Sequence, residues 1–220
     1  MLDKVEAVLF DMDGTLVDSK AVIEQAWCSV ALQNGIEVDH NTIEKHIHGR
    51  SGQYTLDYLF HMFNNEEKAQ IKHQVDSFEE TARSDLIAGA EDFLILLKQR
   101  GIKIALVTAS WSERIEFLFS LHQLHRYFDT IVARHQVQQG KPHPEGFLTA
   151  AKQLGIDIEH CLVFEDSLSG IEAGMRSGAR CIAIGDINTQ DNEYQPSGTY
   201  QDFNVVLSTM SVTPAIKAMA

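Results

Sequence analysis

Excess positive charge is the first thing this 220-residue chain lacks: Lys and Arg total 18 against 31 Asp and Glu, a formal charge of −13. Nothing supplies a basic footprint, so a nucleic-acid backbone is not an expected partner. A small anionic ligand stays open, since a few local cations or a bound metal can override the net field. Paired cysteines are missing as well. Cys28, Cys161 and Cys181 are odd in number, widely spaced and form no CxxC, which points to reduced thiols rather than a disulfide framework. Cys161 and Cys181 each open a short apolar run and Cys28 falls in a helical pattern, so all three are expected to be small buried hydrophobes. No run approaches the roughly 18 apolar residues that span a bilayer. The first residues carry Asp3 and Glu6 and no basic stretch ahead of a long apolar core, unlike a signal peptide. The expectation is a soluble, cytoplasmic chain without a membrane partner and with a monomer as the default state. Internal repeats and low-complexity tracts are also absent.

What is present is ordinary globular composition, with 44% hydrophobic, 22% charged and 8% aromatic residues. That suffices for one large domain or two modest ones. Val5 to Phe10 is short and, apart from Glu6, apolar, and suits a buried strand. It delivers Asp11 and Asp13, which leave on one side if the extended geometry lasts, and Gly14 then permits a sharp turn. A solvated acidic turn is the plain alternative. From Leu16 to about residue 86 the apolar spacing is helical, with breaks at Asn34-Gly35 and at His48 to Gly52. Asp39 or Asn41 is a candidate cap for the second helix, and helices are expected over 54–63 and 66–83. The histidines His40, His46, His48, His61 and His73 form no trusted metal-ligand spacing and are expected at the surface.

From Gly89 onward helices and strands alternate. Helices are expected over 91–100, 111–121, 144–154 and 169–177, and strands over 103–107, 130–133, 161–164 and 181–184. Glycines at helix ends complete the pattern of a parallel sheet covered on both faces. Residues 186–200 read as a surface loop, Val205 to Leu207 as a late strand, and Pro214 to Ala220 as a short terminal helix. The fold class is therefore α/β: a doubly wound, Rossmann-like parallel-sheet core with a small all-helical cap inserted after the first strand. The boundaries are 1–15 and 87–220 for the core and 16–86 for the cap.

In such a sheet the carboxyl ends of all strands face one crevice. The groups that follow the strands are Asp11 and Asp13, then Thr108, Ala109 and Ser110, then Lys141 between Gly140 and Pro142, then Glu165 and Asp166. Each has a plain reading. Thr108 or Ser110 could cap the next helix, Lys141 could be a solvated loop lysine, and Glu165-Asp166 a surface turn. Together they are chemically coherent. Asp11, Asp13 and Asp166 suit Mg²⁺, while Thr108 and Lys141 suit phosphoryl oxygens. Asp11 could then attack phosphorus, and Asp13 could protonate the leaving oxygen and activate water.

Asp11-Met12-Asp13-Gly14-Thr15, Val107-Thr108-Ala109-Ser110, Gly140-Lys141-Pro142 and Phe164-Glu165-Asp166-Ser167, in this order, resemble the motifs of the haloacid dehalogenase superfamily. The nearest branch is the β-phosphoglucomutase-like group, which includes sugar and polyol phosphatases. The resemblance implies Asp11 as nucleophile and Asp13 as general acid/base. It implies Mg²⁺ on the Asp11 and Asp166 side chains and the Asp13 carbonyl, with Glu165 close by through a water. Thr108 and Lys141 would hold the phosphoryl group, helped by backbone amides of Met12, Asp13 and Ala109. In the cap, Gly49-Arg50-Ser51 resembles the branch's substrate-specificity loop, although His48 to Gly52 departs from the mutase wording. Arg50 could meet a second phosphate or sugar hydroxyls, or be a plain surface residue. The expected function is a Mg²⁺-dependent phosphatase of small phosphorylated sugars or sugar alcohols, working through an aspartyl-phosphate. A sugar phosphomutase on the same residues is the alternative.

Overall fold

The computed structural model describes residues 1–189 and 193–211. Its sheet has six parallel strands: β1 (Ala7–Phe10), β2 (Lys103–Val107), β3 (Thr130–Val132), β4 (Cys161–Glu165), β5 (Arg180–Ile184) and β6 (Thr199–Tyr200). They lie in the order β3-β2-β1-β4-β5-β6, which is the doubly wound arrangement, with the winding reversing beside β1. Strand alternation sorts the core. Val8 and Phe10 face one side, where Phe10, Phe93, Phe164 and Phe203 pack with ring centroids 5.2–6.1 Å apart. Ala7 and Leu9 face the other, against Phe147, Ile171 and Cys181.

Among the described residues five α-helices accompany the sheet: α5 (Ala90–Gln99), α6 (Ser112–Leu121), α7 (Glu145–Leu154), α8 (Leu168–Ser177) and α9 (Phe203–Ser211). Four more, α1 (Lys20–Gln33), α2 (His40–His46), α3 (Gly52–Leu59) and α4 (Asn65–Glu79), fill the insert after β1. They share an apolar cluster of their own around Trp27, Phe60, Ile71 and Val75. Asp39 caps α2, accepting the Thr42 N–H at 2.8 Å, and Asn64 closes a capping box with Glu67 on α4.

Several expectations are corrected. Val205 to Leu207 is helix, not strand. Asp202 accepts the Val205 N–H at 2.9 Å, and Phe203, Val206, Leu207 and Met210 fall on one face toward the core, a helical period that β-branched residues disguise. The loop expected over 186–200 ends in β6, which pairs with β5 at Ala183–Thr199 and Ile184–Tyr200. Helix α1 starts at Lys20 rather than Leu16. The residues before it form a turn in which Met12 O accepts the N–H groups of Thr15, Leu16 and Val17, and Val17 bridges Asp13 and Leu86. Cys28 is half-buried, whereas Cys161 and Cys181 are buried and all three are free. His40, His61 and His73 are exposed, but His46 and His48 are half-buried, His46 stacked on Tyr58 at 3.6 Å and His48 bonded to Glu24 at 2.9 Å. The helix expected over 214–220 lies outside the described residues. Among the described residues no helix is long and apolar enough to cross a membrane.

Candidate active site

Four strand ends build one site. The N–H of Asp11 continues the β1–β4 ladder onto Phe164 O at 3.1 Å, so its side chain leaves the sheet beside Glu165 and Asp166. These three buried carboxylates each offer an oxygen within 4.8 Å of the others. Lys141, from the loop after β3, forms ion pairs with Asp11 and, at 2.5 Å, with Glu165. Its side chain is only 6% exposed; the solvated reading therefore fails. Burial opposes the Lys141 charge, but the two carboxylates outweigh it and hold the ammonium more firmly protonated than usual. Burial drives the Asp11 carboxyl well above the usual carboxylate range, Lys141 opposes this, and the charges of Glu165 and Asp166 add to it. The Asp166 carboxyl is likewise pushed up to about 6, by burial first, with Lys20 opposing and Glu165 reinforcing.

Lys20 was not expected here. It is the first residue of α1, and its Nζ lies 2.6 Å from Asp166 Oδ2. The turn that delays the helix start puts it there, a signal no spacing rule carries. Thr15 Oγ1 donates to Asp166 Oδ1 at 3.1 Å. Glu165 is fully buried, and its Oε2 accepts from the N–H groups of Asp166 and Ser167 and from the Ser167 hydroxyl. Gly170 makes this possible, because a Cβ there would overlap the Glu165 carboxyl. Gly14, at φ +84°, likewise leaves room for Asp166. Three hard oxygen donors suit a hard divalent cation, and the two lysines offset part of their charge in this structure.

Asp13 sits differently. Ser19 donates to its Oδ1 at 2.7 Å and Ser110 to its Oδ2 at 2.8 Å, and its side chain is not in the three-carboxylate group. Ser110 therefore does not cap α6, whose N-cap is Trp111 without a side-chain bond. Thr108 Oγ1 accepts the Ser110 N–H at 3.0 Å and is buried at the same crevice. Among the described residues no backbone carbonyl takes the N–H of Met12, Asp13 or Ala109, so all three are free to meet an anion.

The cap covers this floor. Gly49 packs on Ser167 and Ser169, and Ser169 donates to Gly49 O at 3.1 Å. Arg50 lines the cleft, yet its Nε donates to Lys45 O and its guanidinium lies 4.7 Å over Tyr54. Ser51 caps α3 by accepting the Tyr54 N–H and lines a neighbouring cavity of about 410 Å³ shared with Thr108, Ala109 and Lys141. The cleft itself also gathers Trp27, Lys72, Asp76, Glu79, Trp111 and Arg134, none of them singled out by the sequence. Their side chains converge only once the cap folds onto the core.

Glu79, the last residue of α4, has a carboxyl pushed up to about 8, by burial first and by the Asp13 charge second, with Lys72 and Arg114 opposing. Unfolded, the same group titrates near 4.5. Between those values the folded chain holds the extra proton, so stability drains as pH rises through that window. Glu79→Gln removes the drain. We expect the variant to be more stable than wild type at pH 8.5, by on the order of 3 kcal/mol, and the difference to shrink to about 1 kcal/mol or less by pH 5. Thermal melts at the two pH values check this.

The family model described as haloacid dehalogenase-like hydrolase matches residues 8–184. A phosphorylated carbohydrates phosphatase of Thermotoga maritima is 34% identical over 189 residues, covering 81% of this chain and 84% of that protein. Hexitol phosphatase A of Escherichia coli is 29% identical, covering 82% and 83%. Among solved structures, a β-phosphoglucomutase from Clostridium difficile superposes with a TM-score of 0.78 at 27% identity, covering 91% and 92%.

Proposed function

Because the chain belongs to the haloacid dehalogenase-like hydrolases, we propose that it is a phosphoric monoester hydrolase acting on small phosphorylated sugars or sugar alcohols. One observation carries the reading: Asp11 lies at the carboxyl end of β1, paired with buried Lys141, beside Thr108 and two further carboxylates. The named phosphatase relatives support the substrate class, and the mutase alternative is not favoured.

Asp11 is the nucleophile. Its carboxylate oxygen bonds to phosphorus as the ester P–O bond breaks, giving an aspartyl-phosphate. Asp13, held by Ser19 and Ser110, gives a proton to the departing oxygen. In the second half it takes a proton from water, whose oxygen attacks phosphorus and releases Asp11 and inorganic phosphate. Thr108, Lys141 and the free N–H groups of Met12, Asp13 and Ala109 hold the phosphoryl oxygens. The cation would be Mg²⁺, which the carboxylates of Asp11 and Asp166 and the Asp13 carbonyl would hold, with Glu165 nearby. When bound it neutralises carboxylate charge and polarises the phosphoryl oxygens. The cap loop Gly49-Arg50-Ser51 closes over the substrate.

The test is phosphate release from a panel of sugar and sugar-alcohol phosphates. Turnover with Mg²⁺ that vanishes on chelation is expected. Conversion of an aldose 1-phosphate to its 6-phosphate without phosphate release would move the assignment to a mutase.

A further inference from the structure

The proton that Asp13 gives to the ester oxygen locates the leaving group. Its carbons must lie in the part of the cleft next to Asp13, and three features there are unexplained by phosphoryl transfer. Glu79 lines that part, is 8% exposed, and its Oε1 has no hydrogen-bond partner among the described residues. Trp27 and Trp111 line it too, and they are the chain's two tryptophans. Trp111 is fixed by cations on its ring, Lys72 Nζ at 5.3 Å and the Arg134 guanidinium at 5.2 Å. Lys72 is also paired with Asp76.

A buried acceptor without a donor is costly, and this cleft sets the Trp111 ring among its charged side chains beside that acceptor. Resting on the phosphatase reading above, we propose that Glu79 selects a hydroxylated leaving group. Its Oε1 accepts a hydrogen bond from a hydroxyl of that group, while the half-buried Trp111 ring packs the carbon chain. A site built to pair a substrate hydroxyl discriminates strongly against the analogue that lacks it. Glu79 is thus a specificity residue, and phosphorus never meets it.

The experiment compares kcat/KM for a hexitol 6-phosphate and for hexyl phosphate, an alkyl ester of the same chain length with no free hydroxyl. Both esters need a proton on the leaving oxygen, so an effect of Glu79 on Asp13 would act on both alike. Wild type is expected to favour the hexitol ester by about 100-fold or more. Glu79→Leu, which keeps the volume, should cut that preference at least about tenfold, and Glu79→Gln, which keeps an acceptor oxygen, should restore most of it. Equal losses on both esters, or a wild type with no preference, overturn the proposal; the wild-type comparison holds even if the Leu variant does not fold. A wild type that hydrolyses hexyl phosphate but not the hexitol ester sinks the inference and leaves the phosphatase reading standing. A wild type that releases phosphate from neither ester, nor from any of the panel, sinks that reading and the inference with it.

Discussion

Asp11→Asn is expected to lower kcat for phosphate release by about 10⁵-fold, since losing a nucleophile costs nearly all the covalent catalysis. The fold should survive. Asn keeps the shape and still accepts from Lys141. The replacement also removes one negative charge from a group crowded by Glu165 and Asp166, a crowding that adds to burial in lifting the Asp11 carboxyl. The variant should therefore melt no lower than wild type at neutral pH. Phosphate release and a thermal melt on the same preparation decide it. Retention of more than about 1% of wild-type turnover is incompatible with covalent catalysis by Asp11.

The second large effect falls on stability and activity together. Lys141→Ala leaves Asp11 and Glu165 facing each other at 7% and 0% side-chain exposure without their shared cation. Breaking a buried pair by removing one partner costs about 3–5 kcal/mol, or roughly 10 °C in Tm for a chain of this length. The loss should shrink on acidification. Asp11, already raised, takes a proton more readily once Lys141 is gone, and its protonation relieves the repulsion. Activity should fall about 10³-fold, the usual cost of one charged donor to the reacting group. Lys141→Arg should not rescue it, because the forked guanidinium cannot enter a site shaped for a compact ammonium. Melting and kinetics at pH 5.5 and 8 separate the two effects; a Tm unchanged at pH 8 would show that Lys141 does not neutralise the site.

The parts of the molecule legible from the chain are those where one residue's neighbours in sequence are its neighbours in space. Ala7–Phe10 announces a buried strand because every residue is apolar, and its end positions Asp11 by the direction of the backbone alone. The same holds for Thr108 after β2 and Glu165 after β4. Lys20 was illegible because its position depends on a turn pinned by Met12 O. Val205 to Leu207 misled because β-branched residues suggest a strand, whereas the burial of Phe203 and Val206 selects a helix. Glu79 was invisible for a different reason. It ends an ordinary polar helix, and only the packing of α4 over the core turns it toward Asp13.

Both tryptophans of the chain stand in one cleft, and this gives the protein a built-in optical reporter. Indole emission depends on polarity and on nearby charge. With no third indole elsewhere, the intrinsic fluorescence of the chain comes mainly from the walls beside Asp13. Entry of a ligand, displacement of solvent there, or a shift of Lys72 and Arg134 off the Trp111 ring would all be read directly in the emission of the unlabelled protein.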